Sequence, residues 1–101
     1  MIITAQGEVS TVGGLIYGPP INNQSYITGL SFVNLNTYVL EVYLYRKIPN
    51  TKKLLYKFNL DAGDIVEDDT AYVLDYGDYL WAKSSVTGTD FIVMGSVSRV
   101  S

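Results

Sequence analysis

The chain has 101 residues, enough for one domain with a modest core. It contains no histidine and no cysteine, which removes the Ser–His and Cys–His nucleophile pairs, the ordinary zinc site and any disulfide. A net charge of −3 argues against the basic footprint of a nucleic-acid binder, and 48% hydrophobic against 17% charged residues is apolar for a domain of this size.

Turn signals fall at Gly18-Pro19-Pro20, Asn34-Leu35-Asn36, Pro49-Asn50, Asp61-Ala62-Gly63-Asp64, Asp75-Tyr76-Gly77-Asp78 and Thr87-Gly88-Thr89-Asp90. Roughly 12 to 16 residues separate them, and the stretches between are rich in Val, Ile, Leu, Tyr and Phe. The pattern predicts an all-β fold: a single antiparallel sandwich, Ig-like or jelly-roll-like, of about 7–8 short strands. Residues 1–13 are an N-terminal arm that orders on a neighbour, or else a first strand; residues 14–101 form the sandwich domain. The N-terminus has neither a basic n-region nor a long apolar h-region, so no signal peptide is expected and synthesis in a cytoplasm is. No run approaches the about 18 apolar residues of a membrane helix, and no membrane partner is expected. The Asn23-Gln24-Ser25 sequon is then a chance occurrence.

Leu15-Ile16-Tyr17 reads as a short strand stopped by Gly18-Pro19-Pro20, because proline cannot donate to a ladder. In the strand from Ser25 to Asn34, Leu30, Phe32 and Asn34 share one face, with Ser31 and Val33 on the other. From Tyr38 to Arg46, Leu40, Val42 and Leu44 oppose Glu41, Tyr43 and Tyr45. From Lys52 to Leu60, Leu54, Tyr56, Phe58 and Leu60 alternate against Leu55, Lys57 and Asn59. The stretch from Asp64 to Leu74 splits into two short strands around Glu67-Asp68-Asp69. Residues 68–76 are the only stretch worth testing as a helix, and Tyr72-Val73 with the turn after them speaks against one. In the strand from Tyr79 to Ser84, Leu80 and Ala82 oppose Tyr79, Trp81 and Lys83. The last strand, Phe91 to Val97 or a little beyond, is apolar on both sides at Phe91-Ile92-Val93-Met94. It is either buried on both faces or covered on one by the core and on the other by a neighbouring subunit.

Acidic residues give the only candidate catalytic or metal site: Asp61, Asp64, Glu67, Asp68 and Asp69, then Asp75, Asp78 and Asp90. Such oxygens suit calcium, and paired carboxylates serve glycoside hydrolysis. Every one falls at or near a turn, where Asp caps local N–H groups, and the spacing is not that of an EF-hand. No enzymatic activity, metal or cofactor is therefore assigned. Arg46-Lys47 and Lys52-Lys53 flank a turn and read as a solvated hairpin, so no nucleic-acid partner is expected. Tyr43, Tyr45, Tyr79 and Trp81 fall on outward strand faces. They serve a protein interface, cross-strand packing or sugar stacking. With Phe91 and Met94 they make up the candidate interface.

From Tyr26 onward the chain resembles a group of small virion proteins of tailed bacteriophages. A strand ending Ser31-Phe32-Val33-Asn34 leads to the strand Val42-Tyr43-Leu44, then to Leu60-Asp61-Ala62-Gly63-Asp64. Next comes Leu74-Asp75-Tyr76-Gly77-Asp78-Tyr79-Leu80-Trp81-Ala82-Lys83-Ser84-Ser85, and the end is Val93-Met94-Gly95-Ser96-Val97. The likeness spans about three quarters of the chain and departs at Gly18-Pro19-Pro20-Ile21-Asn22-Asn23-Gln24, a longer loop than the group's usual turn. It implies a β-sandwich on a virus particle, located in the virion and made in the host cytoplasm. A capsid decoration or cement protein is expected first, contacting the major capsid protein or other virion proteins as a homo-oligomer. A head–tail connector, tail or baseplate component comes next, and a carbohydrate-binding adhesion module last.

Overall fold

The computed structural model describes residues 1–100, apart from the side chain of Ile3; Ser101, the last residue of the expected sandwich domain, lies outside the described residues. Nine strands follow in order: β1 (Ile2–Glu8), β2 (Gly14–Tyr17), β3 (Asn23–Val33), β4 (Tyr38–Arg46), β5 (Thr51–Leu60), β6 (Ile65–Asp68), β7 (Tyr72–Asp75), β8 (Tyr79–Ser84) and β9 (Asp90–Arg99). One sheet runs β1-β9-β3, with β6 and β7 sharing the far side of β3; the other runs β2-β8-β4-β5.

The strands pair from the outside of the chain inward. β1 pairs β9, β2 pairs β8, β3 pairs β6 and β7, and β4 pairs β5, all antiparallel. With β6 and β7 counted as one interrupted strand, this nesting is the eight-strand jelly roll. The count exceeds the 7–8 expected because Ile2–Glu8 pairs along its whole length, from Ile2–Ser96 to Glu8–Asp90, as a strand of its own; the break at Asp69-Thr70-Ala71 is the split expected within 64–74. The 68–76 stretch contains β7 and no helix.

The core follows from alternation. Ile27, Leu30 and Phe32 of β3 and Val93 of β9 face Leu40 and Val42 of β4 and Leu80 of β8, all at most 2% exposed. Each such side chain contributes about 1.5–3 kcal/mol on burial. β9 is central in its sheet yet buried on one face only: Phe91, Val93 and Val97 point inward, while Ile92 and Met94 are 40% and 48% exposed. β5 departs from simple alternation. A register shift opposite Val42 and Tyr43 leaves Leu55 unpaired, which turns Leu55 against the core and Leu54 outward.

Polar knots close both ends. At one, Asn34 is 2% exposed and donates to Thr87 O (3.0 Å) and Thr89 Oγ1 (2.8 Å) while its Oδ1 accepts from Asn36 N (2.9 Å). Thr89 in turn shares a 2.6 Å hydrogen bond with Ser84. At the other, Asp78 accepts from Lys47 N and Asp75 N (both 2.9 Å) and from Arg46 Nη1 (3.1 Å), and Arg46 also donates to Val73 O. Gly77, with φ 99°, lets the β7–β8 turn close beneath Lys47. This knot locks the β4–β5 turn to the β7–β8 turn and so fixes the strands that carry the outward aromatics.

Candidate interaction face

The outer face of the β2-β8-β4-β5 sheet is a lattice of three rows, set by register. Tyr79, Tyr45 and Lys52 form the first; Leu15, Trp81, Tyr43 and Leu54 the second; Lys83, Glu41 and Lys57 the third. The aromatics pair across strands. Tyr45 and Tyr79 stack with centroids 4.6 Å apart, and Tyr43 meets Trp81 edge-on at 5.2 Å. Such pairs add about 0.5–1.5 kcal/mol beyond their burial. Lys52 Nζ lies 3.5 Å above the Trp81 ring and 5.1 Å from that of Tyr43, a cation–π arrangement. From the loop before β2, Gly13 comes so close that a Cβ there would lie 1.9 Å from the indole. Trp81 is thus clasped between Gly13, Tyr43 and Lys52.

The hydroxyls are anchored at the rim. Tyr43 donates to Glu41 Oε1 at 3.0 Å and Tyr45 to Asn50 Oδ1 at 2.5 Å. The Glu41 carboxylate that accepts this bond raises the Tyr43 hydroxyl above its ordinary pKa. Leu15 and Leu54 flank the aromatics at 61% and 44% exposure. A shallow groove of about 460 Å³ continues the surface past Tyr45 and Tyr79 to Pro19 and Tyr76.

The six residues expected at an interface therefore divide. Tyr43, Tyr45, Tyr79 and Trp81 meet on one outer face. Met94 is exposed on the outer face of the other sheet, and Phe91 points into the core at 8% exposure, opposite Phe32. Lys52, Leu15 and Leu54 belong to the face but are not among the expected residues. Lys52 and Leu54 were both hidden by the register shift at Leu55, which puts them on the face opposite Tyr56, Phe58 and Leu60.

A second cluster lies between β5 and β6–β7, at the open side of the sandwich. Tyr56 stacks on Phe58 at 5.1 Å, and Tyr72 donates to Asp68 Oδ2 at 2.7 Å. Burial, then the Asp68 charge, holds the Tyr56 phenol well above its ordinary range. Burial and the bond to Asp68 push Tyr72 up to about 12. Burial works to raise Asp68 as well, but the donors Tyr72 and Thr70 outweigh it and hold the carboxyl below the usual range. Among the described residues no three of His, Cys, Asp and Glu come together as a group able to hold a metal ion.

No protein-family model matches the chain, and no curated protein matches it. Solved structures share its fold. Bacillus endospore appendages, a family of disulfide-linked pili, match over the whole of this chain and 87% of theirs, with a TM-score of 0.54 and 12% identity. The Drosophila NLP core, whose structure bears on pentamer formation and histone binding, matches over 95% of this chain and 99% of its own, at 0.51 and 9%. A pentameric capsid protein from metagenomic phage sequences matches over 95% of this chain and 60% of its own, at 0.48 and 20%. At these identities the first two likenesses speak to the fold alone, and the third, with a TM-score below 0.5, carries no argument.

Proposed function

We propose that this chain is a non-enzymatic structural subunit of a phage virion, most specifically a decoration or cement protein that assembles through its sheet faces. The observation that carries the reading is the aromatic lattice of the β2-β8-β4-β5 sheet: Tyr43, Tyr45, Tyr79 and Trp81, flanked by exposed leucines. Tyr and Trp backed by leucine favour protein interfaces, where they supply large rigid contact area. Trp81 carries Lys52 on one ring face and Gly13 beside it, which favours a packed protein surface over an open plate for a sugar ring. The virion setting is supported by the sequence cadence from Tyr26 to Val97 and by the jelly roll that carries it. The chain has no cysteine, so no disulfide holds such an assembly through these residues.

The test is quantitative protein stoichiometry of purified particles, combined with sedimentation of the isolated protein with stripped capsids. Hundreds of copies per particle and co-sedimentation with capsids are the expected results. A dozen copies or fewer would move the protein to the neck or tail, and absence from particles would overturn the virion assignment.

A further inference from the structure

The modest net charge of −3 conceals a strong polarity. The outer face of the β2-β8-β4-β5 sheet carries Lys52, Lys57 and Lys83 against a single carboxylate, Glu41. Arg46–Asp78 is the one ion pair within 4 Å among the described residues, so none of these three lysines has a carboxylate partner at that distance among them. The outer face of the opposite sheet is the converse. Register places Glu8, Glu67, Asp75 and Asp90 there, with no lysine or arginine. Between these carboxylates lie Tyr26, Ile65, Val73, Ile92 and Met94, each 40–59% exposed. One face offers lysines around aromatic rings; the other offers carboxylates around mostly aliphatic side chains and Tyr26.

We infer that these two outer faces are the two halves of one interface, so that the β2-β8-β4-β5 face of one copy docks on the β1-β9-β3-β6/β7 face of the next. The contact is heterologous, head to tail, and its repetition gives a closed ring or an open stack according to the tilt per step. Complementary charge selects this arrangement over the self-pairings, because lysine face on lysine face and carboxylate face on carboxylate face both place like charges together. Size permits it. A sandwich is thinnest across its layers, so the extents of 44 and 27 Å frame each face at on the order of 1,000 Å², above the about 800 Å² per partner of a standard interface. The inference rests on the assembly reading above and goes further in naming the partner as a second copy, and the surface it uses.

Charge reversal on each face separately tests it. Lys57→Glu with Lys83→Glu makes the lysine face acidic; Glu67→Lys with Asp75→Lys and Asp90→Lys makes the acidic face basic. Light-scattering mass is read for the wild type, each variant, their equimolar mixture and the chain with all five substitutions, after thermal melts confirm folding. The wild type should exceed its monomer mass of 11.2 kDa. Each reversed variant alone should associate at least about tenfold more weakly. The mixture and the five-substitution chain should both regain association, because each restores opposite charge across every contact. If a reversed variant fails to fold, the milder pairs Lys57→Gln with Lys83→Gln and Glu67→Gln with Asp90→Asn carry the same prediction with smaller amplitude. A wild-type oligomer indifferent to both reversals would overturn the inference and leave the assembly reading standing. A wild type that stays monomeric would overturn it too, and co-sedimentation with stripped capsids then decides the assembly reading by itself.

Discussion

Phe91 and Met94 sit three residues apart on β9 and face opposite ways, so truncating each to alanine separates folding from association. Phe91 is 8% exposed, packs opposite Phe32 and Gly7, and belongs to the core cluster. Phe→Ala in a core costs about 3–5 kcal/mol. Phe91 lies near the end of the sandwich beside the open groove of Gln6, Gly7 and Val33, where neighbours can relax, so the lower end, about 3 kcal/mol, applies. For a domain of this length that loss lowers the Tm by roughly 12–24 °C. Met94 is 48% exposed on the outer face, and Met94→Ala should leave the monomer within about 0.5 kcal/mol of wild type. Urea unfolding at low protein concentration, where association does not contribute, reads both values. A Phe91→Ala variant within about 1 kcal/mol of wild type would refute the reasoning, because it would mean the side chain is not in the core.

Asn34→Ala deletes three hydrogen bonds and strands Thr87 O and Asn36 N, so a loss of about 2–4 kcal/mol in urea unfolding is expected; a loss under 1 kcal/mol would show the knot is dispensable. Burial raises the Asp78 carboxyl, but the N–H groups of Lys47 and Asp75 and the Arg46 guanidinium outweigh it and hold its folded pKa below the ordinary value. Its contribution is therefore present above the ordinary carboxylate range and lost as pH falls through the depressed value; Asp78→Asn should lower Tm at pH 7 and flatten the acid side of the Tm–pH curve. Tyr72 has the opposite sign, with a folded pKa raised to about 12 from 10.0. Its contribution is full below pH 10 and disappears as pH rises to about 12, so Tyr72→Phe should blunt the alkaline loss of stability in that window. Gly13 has φ 91° and abuts Trp81, so Gly13→Ala should cost more than 1 kcal/mol and change the Trp81 fluorescence, whereas Gly63→Ala, with φ 80° and open space around it, should bear the backbone strain alone and leave the emission unchanged.

The sandwich was legible because its cause is local. Alternation in Tyr38–Arg46 and Tyr79–Ser84 fixed both boundaries and faces, and Gly-Asp turns marked the ends. The choice of a jelly roll over an Ig-like sandwich was not, because it rests on which strands pair across the chain, and β1 with β9 is a contact between the two ends of the sequence. The outward set Tyr43, Tyr45, Tyr79 and Trp81 could be read from strand parity, but not its mutual contacts, which depend on the β4–β8 register. Phe91 was misleading because an apolar run such as Phe91-Ile92-Val93-Met94 carries no alternation to say which side is inward. The polar knots at Asn34 and Asp78 were hidden in turn residues whose ordinary role is local capping; both do cap locally, at Asn36 N and Asp75 N, but their other partners lie 31 to 55 positions away.

The central claim is that the exposed sheet faces of this chain exist to bind other copies of it. Light-scattering mass of the wild-type protein from micromolar to millimolar concentration tests it most directly. A mass climbing from 11.2 kDa to a multiple of that value is the predicted result, and 11.2 kDa at every concentration would contradict it.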